Sequence, residues 1–243
     1  DLTSDDDESR EQAYLDTFDE QRVFGLLVSP IGDDLRRFDS LRRRGTPVIL
    51  VDRDAGGSPF DSVAVDDIAG GRLAVSHLCE TGRRRIVFVG GPPGLRQVAD
   101  RRRGAQEAVN AVDDATLEVV QTANLSVLAG REAGQALLAR APRDRPDAVF
   151  CANDLLAIGV LQALTMLGGD VRVPDDIALI GYDDIDFARS AVVPLSSIRQ
   201  PTSRIGVTAV DLLMSAADDP AERHVPSNLV FQPELVARAS TLG

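Results

Sequence analysis

Two kinds of stretch alternate along this chain: short continuous apolar runs, and longer segments in which apolar residues return at helical spacing. Val23 to Val28, Pro47 to Val51, residues 86–89, Leu117 to Gln121, Ala148 to Cys151 and Ile177 to Ile180 read as buried strands. Between them, helices are expected over Asp33 to Arg44, closed by Gly45, from Asp66 or Asp67 through Gly82, over about Gln97 to Val112, over Val127 to Arg140 and over Leu155 to Leu167. The rhythm then breaks. Ala191 to Ile198 reads as extended, Pro201 opens a helix to about Ala217, and Leu229 to Ala237 reads as short strands interrupted by Pro233. Strands alternating with helices mark parallel sheets with crossover helices, so the expected fold class is α/β, in two doubly wound lobes with a cleft between them.

Composition narrows the function classes. With 243 residues and 44% apolar content the chain can build one large domain or two lobes, each with a core. A formal net charge of −12 argues against a nucleic-acid surface on these residues, because phosphate contact needs a basic patch. All 26 basic residues are arginine, which excludes a P-loop lysine, a Schiff-base lysine and a lysine general base. Cys79 and Cys151 are far apart, as suits packing roles in a reducing cytosol. With no apolar run of membrane-spanning length, a soluble cytoplasmic protein is expected, without membrane association and without a cofactor.

Two strand ends carry the densest chemistry. The run Ala148 to Cys151 breaks at Asn153 and Asp154 and resumes as Leu155 to Leu161, and the run Ile177 to Ile180 ends in Gly181, Tyr182, Asp183 and Asp184. Open α/β sheets bind ligands beyond the carboxyl ends of their strands. Together with Val63 to Asp67, Arg85 to Gly91, Val173 to Asp176, Ser197 to Pro201 and the tail Pro233 to Thr241, these segments resemble the effector-binding core of the LacI/GalR family of bacterial transcription regulators. The resemblance covers nearly the whole chain.

That resemblance implies a periplasmic-binding-protein-like core whose chain crosses between lobes near Gly82 to Arg85, Ile198 to Pro201 and Val225 to Asn228. It assigns residues 1–82 and 200–225 to an N-terminal lobe, and 83–199 and 226–243 to a C-terminal lobe. Asp5 to Glu8 match the loop ahead of the family's second crossover helix, so the sequence reads as lacking the family's helix-turn-helix headpiece and most of its opening βαβ unit. The implied effector-binding residues are Asp52, Arg101, Leu125, Asn153 and Asp183, with no catalytic and no metal-binding residue. Asp183 and Asn153 offer carboxylate and amide groups to vicinal hydroxyls, and Arg101 a forked donor, which suits a sugar or related polyol. Solvated alternatives stand beside these: a turn at Asp183 and Asp184, an exposed face for Arg101 to Arg103, and a plain helix cap at Asn153. Leu125 stands where the family often places an aromatic ring. Either that platform lies in the missing segment or the effector is not a pyranose. The loop Gly90 to Gly94 resembles a phosphate cradle, although its two prolines remove amide donors and an ordinary turn explains it.

Three function classes compete. The first is a regulator core that dimerises and couples a small effector to operator DNA through the headpiece. The second is a sugar-binding protein of a transport system, and the third an enzyme. No lysine, no nucleophile elbow and two isolated histidines, His77 and His224, argue against the enzyme. The Leu155 to Leu167 helix, apolar nearly all round apart from Gln162 and Thr165, is expected to bury one face in a homodimer, with Leu156 and Val160 at the interface.

Overall fold

The computed structural model describes residues 8–30, 32, 34–218 and 224–242. The chain divides into two compact units, one of Asp1–Val65 with Pro201–Phe231 and one of Asp66–Gln200 with Gln232–Gly243.

The first unit contains α1 (Glu8–Gln21), β1 (Leu26–Val28), a 3-10 turn at Arg36–Phe38, α2 (Asp39–Arg43), β2 (Val48–Val51), β3 (Asp61–Val65), α8 (Thr202–Asp218) and β9 (Asn228–Phe231). Its sheet has the order β1-β2-β3-β9, with every pair parallel. The period of two along β2 sends Val48 and Leu50 into one cluster, with Leu15, Phe38, Leu41 and Phe60, and Ile49 into the other, with Val63, Ile205 and Ala209. The sheet is therefore covered on both faces, as its continuous apolar strands require. The helix expected from Asp33 is shorter, ending in α2 at Arg43, and Asp33 itself lies outside the described residues, as do Asp5 to Asp7.

The second unit holds α3 (Asp67–Glu80), β4 (Arg85–Gly90), α4 (Arg96–Asn110), β5 (Thr116–Gln121), α5 (Val127–Leu138), β6 (Ala148–Cys151), α6 (Asp154–Leu167), β7 (Ala178–Asp183), α7 (Asp186–Ser190), β8 (Ser196–Arg199) and β10 (Glu234–Val236). Its sheet runs β10-β8-β7-β6-β4-β5, parallel except for β10, which returns antiparallel against β8. The path β4 to β5 runs one way across the sheet and β6 to β7 to β8 the other, so right-handed crossovers put α4 and α6 on opposite faces. The carboxyl ends of β4 and β6 thus form a topological switch point.

The division differs from the expected one over three stretches, residues 66–82, Gln200 and residues 226–231. Residues 67–82 were expected in the first unit, yet α3 packs on α4 of the second, because Gly71 and Gly104 bare the two backbones to each other: a Cβ on Gly71 would collide with the Arg101 carbonyl, and one on Gly104 with the Ile68 carbonyl. Residues 228–231 were expected in the second unit, yet β9 pairs with β3, where the buried Asp61 carboxylate receives the Ser227 N–H at 2.8 Å and His224 Nε2 at 2.6 Å.

Candidate functional site

At the switch point the polar groups are held by one another. Arg101, on α4, is 6% exposed, so its charge needs partners inside the protein. Its Nε donates to Asp67 Oδ1 at 2.8 Å, in the first turn of α3, its Nη1 donates to the Ala152 carbonyl at 2.7 Å, and the guanidinium stacks 3.6 Å from the centroid of the Tyr182 ring. One side chain thereby ties together α3, α4, β6 and β7. Burial opposes its charge, but Asp67, Tyr182 and Asp183 outweigh that and hold Arg101 above its ordinary pKa. The same burial pushes the Tyr182 hydroxyl well up. The expectation of an exposed face for Arg101 is not met, and two of its donor positions are already engaged within the unit.

Asn153 caps α6: its Oδ1 accepts from the Leu156 N–H at 2.9 Å and its Nδ2 donates to the Leu125 carbonyl at 3.2 Å. The partly buried Leu125 side chain packs over Gly91, where a Cβ would stand 2.6 Å from Leu125 Cδ2. The glycine-proline loop is thus roofed by an aliphatic side chain, and α4 begins at Leu95 without a side-chain cap. Asp183 ends β7 with φ 103, and its Oδ1 accepts from Gln200 Nε2 at 2.6 Å. Burial raises its pKa against the lowering pull of Arg101 and Gln200.

Arg101, Leu125, Asn153 and Asp183 all belong to the second unit, linked through Ala152, Tyr182 and the Leu125 carbonyl. Asp52 belongs to the first, exposed beyond β2 with φ 57, its N–H donating to the Val63 carbonyl at 2.9 Å. Asp67, Gln200, Ser197 and the fully buried Asp154 are parts of this polar region that were not among the expected effector-binding residues, although Asp154 was noted at its strand end and Asp67 as a possible helix cap. Asp67 and Asp154 are acidic residues in the first turns of helices, a visible signal; Ser197 and Gln200 carry none. Among the described residues no group of three His, Cys, Asp or Glu side chains is placed to hold a metal ion.

The interface expected at Leu156 and Val160 is corrected. Both side chains are 0% exposed within their own unit. Glycines on α5 let that helix close on α6: a Cβ at Gly130 would strike the Leu156 carbonyl, and Gly134 lies against Val160. The apolar residues of α6 that reach the surface are Leu155, Met166 and Leu167.

The periplasmic binding protein-like domain matches residues 75–241. Over 246 residues the chain is 33% identical to the transcriptional repressor PurR of Photobacterium profundum, covering 95% of this chain and 68% of that protein. A LacI family transcriptional regulator from Enterococcus faecium with bound ribose superposes with TM-score 0.84 at 26% identity, covering 94% of this chain and 83% of that one. The chain belongs to the LacI family of transcriptional regulators. Its two-unit α/β architecture is the periplasmic-binding-protein-like fold of that family. A further LacI-type relative, the regulator CelR in complex with cellobiose, has TM-score 0.80 at 33% identity, over 96% of this chain and 70% of that one. These relatives are transcription regulators, not enzymes. No described helix is long and apolar enough to cross a membrane.

Proposed function

We propose that this chain is the effector-sensing and dimerisation core of a cytoplasmic regulator that binds a sugar or related polyol and couples it to operator DNA through a helix-turn-helix segment of the kind named in its relatives. The observation that carries the reading is the buried Arg101 held by Asp67 and stacked on Tyr182 beside Asp183. A fixed guanidinium next to a partly exposed carboxylate and an amide supplies the mixed donors and acceptors that hydroxyl groups need, with little ordering cost on binding. Leu125 adds an aliphatic wall to this set. Effector and operator are then linked reciprocally, each changing the other's affinity by the same factor. A homodimer face on α6 would use Leu155 and Met166, which leave the core intact when replaced.

Calorimetry with D-ribose, D-glucose and cellobiose tests the proposal. Saturable binding of at least one of them, lost on Asp183→Ala in a folded variant, is the expected result. Failure of all three, with binding of an amino acid or nucleobase instead, would overturn the polyol reading. The alternative, a transport binding protein, is separated by DNA: the full-length protein should bind a palindromic operator with a steep salt dependence.

A further inference from the structure

Behind the proposed effector contact lies a buried carboxylate that no ligand needs to touch. Asp154 is 0% exposed. Its Oδ2 accepts from the Ile185 N–H at 2.9 Å, and its Oδ1 from the Ser197 hydroxyl at 2.8 Å. Ser197 Oγ in turn accepts from the Asp184 N–H at 3.0 Å. Both peptide N–H groups that follow Asp183 are therefore held by Asp154, one directly and one through Ser197. They need holding, because Asp183 and Asp184 are consecutive non-glycine residues with φ 103 and 55, a backbone that persists only where its surroundings over-determine it. The fit is close: a Cβ at Gly181 would collide with Asp154 Oδ1.

We infer that Asp154 is a positioning residue for the effector site, fixing the strand-end loop that presents Asp183 only while its carboxylate is ionised, so that effector affinity is linked to proton uptake. The inference rests on the reading of Asp183 as an effector contact. An ionised carboxylate accepts from both the Ile185 N–H and the Ser197 hydroxyl. A protonated one carries an O–H that must point at an acceptor, so the bond to Ser197 has to reverse: the Ser197 hydroxyl turns its own proton away and accepts from Asp154 as well as from the Asp184 N–H, and the charge-assisted grip on the loop is lost. The charged groups that face Asp154 do not relieve this. Asp183, the last residue of β7, and Asp184, just after it, are of like sign; Cys151, on β6, is a buried thiol; Ser197, on β8, is neutral; and Arg199 and Arg238 are engaged with Asp184. Burial and those two like charges push Asp154 up to about 7, into the range where small changes of pH alter its charge.

The test follows the backbone amides of Asp184 and Ile185 by NMR in the full chain from pH 6 to 8.5, with sugar affinity measured in parallel at pH 6 and pH 8. The two amides should titrate together with a midpoint near 7, and the titration should vanish in Asp154→Asn. Ser197→Ala, which removes one donor to the charged form, should raise the midpoint. Affinity for whichever of D-ribose, D-glucose and cellobiose binds should fall about tenfold from pH 8 to pH 6, as the ionised fraction falls, and by less than about twofold in Asp154→Asn. Amides that do not move with pH, or an Asp154→Asn protein that keeps the pH slope, would overturn the inference. Should Asp154→Asn fail to fold, an unchanged midpoint in Ser197→Ala overturns it instead. If none of the three sugars binds and an amino acid or nucleobase does, the polyol reading fails while the amide titration still decides the role of Asp154.

Discussion

The neighbouring strands β6 and β7 end in the same kind of doublet, Asn153–Asp154 and Asp183–Asp184, and the second residue of each is withdrawn into the protein, where the two aspartates meet opposite fates. Asp154 receives only neutral donors, the Ile185 N–H and the Ser197 hydroxyl, and burial carries it up to about 7. Asp184, its side chain 3% exposed, is gripped by two guanidinium groups, Arg199 at 2.7 Å and Arg238 at 2.6 Å. Burial pushes Asp184 up as well, but the hydrogen bonds from Arg199 and Arg238 outweigh it and hold the carboxyl below its usual range. Burial raises both acids, and what sets them apart is that Asp184 alone has guanidinium donors strong enough to overcome it.

The sharpest way to break this contrast is through pH. A carboxyl raised from 3.8 to about 7 on folding lets the native state bind the extra proton, so its stabilising effect is full below pH 4 and disappears as pH rises through 7. That difference corresponds to about 4 kcal/mol. Urea unfolding of Asp154→Asn should lack this decline, so that the variant gains on the parent steadily between pH 4 and pH 8. Parallel curves would show that Asp154 does not titrate there.

Asp184 has the opposite sign. Its lowered pKa contributes stability above the ordinary carboxylate range and loses it as pH falls below about 4. Asp184→Ala leaves Arg238, whose side chain is 16% exposed, without its carboxylate, and should cost about 3 kcal/mol at pH 7.5, measured by urea unfolding. Arg199→Ala, removing the more exposed partner, should cost clearly less.

The first residues of the doublets complete the comparison at smaller scale. Asp183→Ala should cost about 2 kcal/mol of effector binding by calorimetry, through loss of a charge-assisted hydrogen bond, with the thermal midpoint little changed. Asn153→Ala removes the cap of α6 and the bond to the Leu125 carbonyl, and should destabilise the protein by about 1 kcal/mol in the same urea experiment.

Because parallel strands buried on both faces leave continuous apolar stretches, the alternation of apolar runs and helical spacing was enough to place most strands and helices, though not α1, β3 or α7. Arg101, Asn153 and Asp183 were singled out through the family resemblance, each standing at or just beyond a strand end or within the first turns of a helix. What holds them was not. Asp67 comes from a helix that was expected in the other unit, and Ser197 and Gln200 are brought in by β8, far along the chain, with no local mark of their role. Leu156 and Val160 misled for a related reason. An all-apolar helix says that both faces are covered, not by what, and the cover proved to be α5, admitted by glycines whose purpose appears only when the two backbones touch.

Both cysteines of the chain lie in the second unit, and this makes that unit its own clock. Cys151 is the last residue of β6, 0% exposed, with its thiol pushed well above its ordinary pKa by burial and by Asp154. Only the thiolate reacts with an alkylating agent. Modification of Cys151 therefore waits on excursions that open the strand end beside the Asn153–Asp154 doublet, and its rate measures how often they occur. Cys79, buried on α3, times the opposite helix pair. With the first unit silent, iodoacetamide consumption in the unmodified protein reports the breathing of one half alone, with no label to introduce.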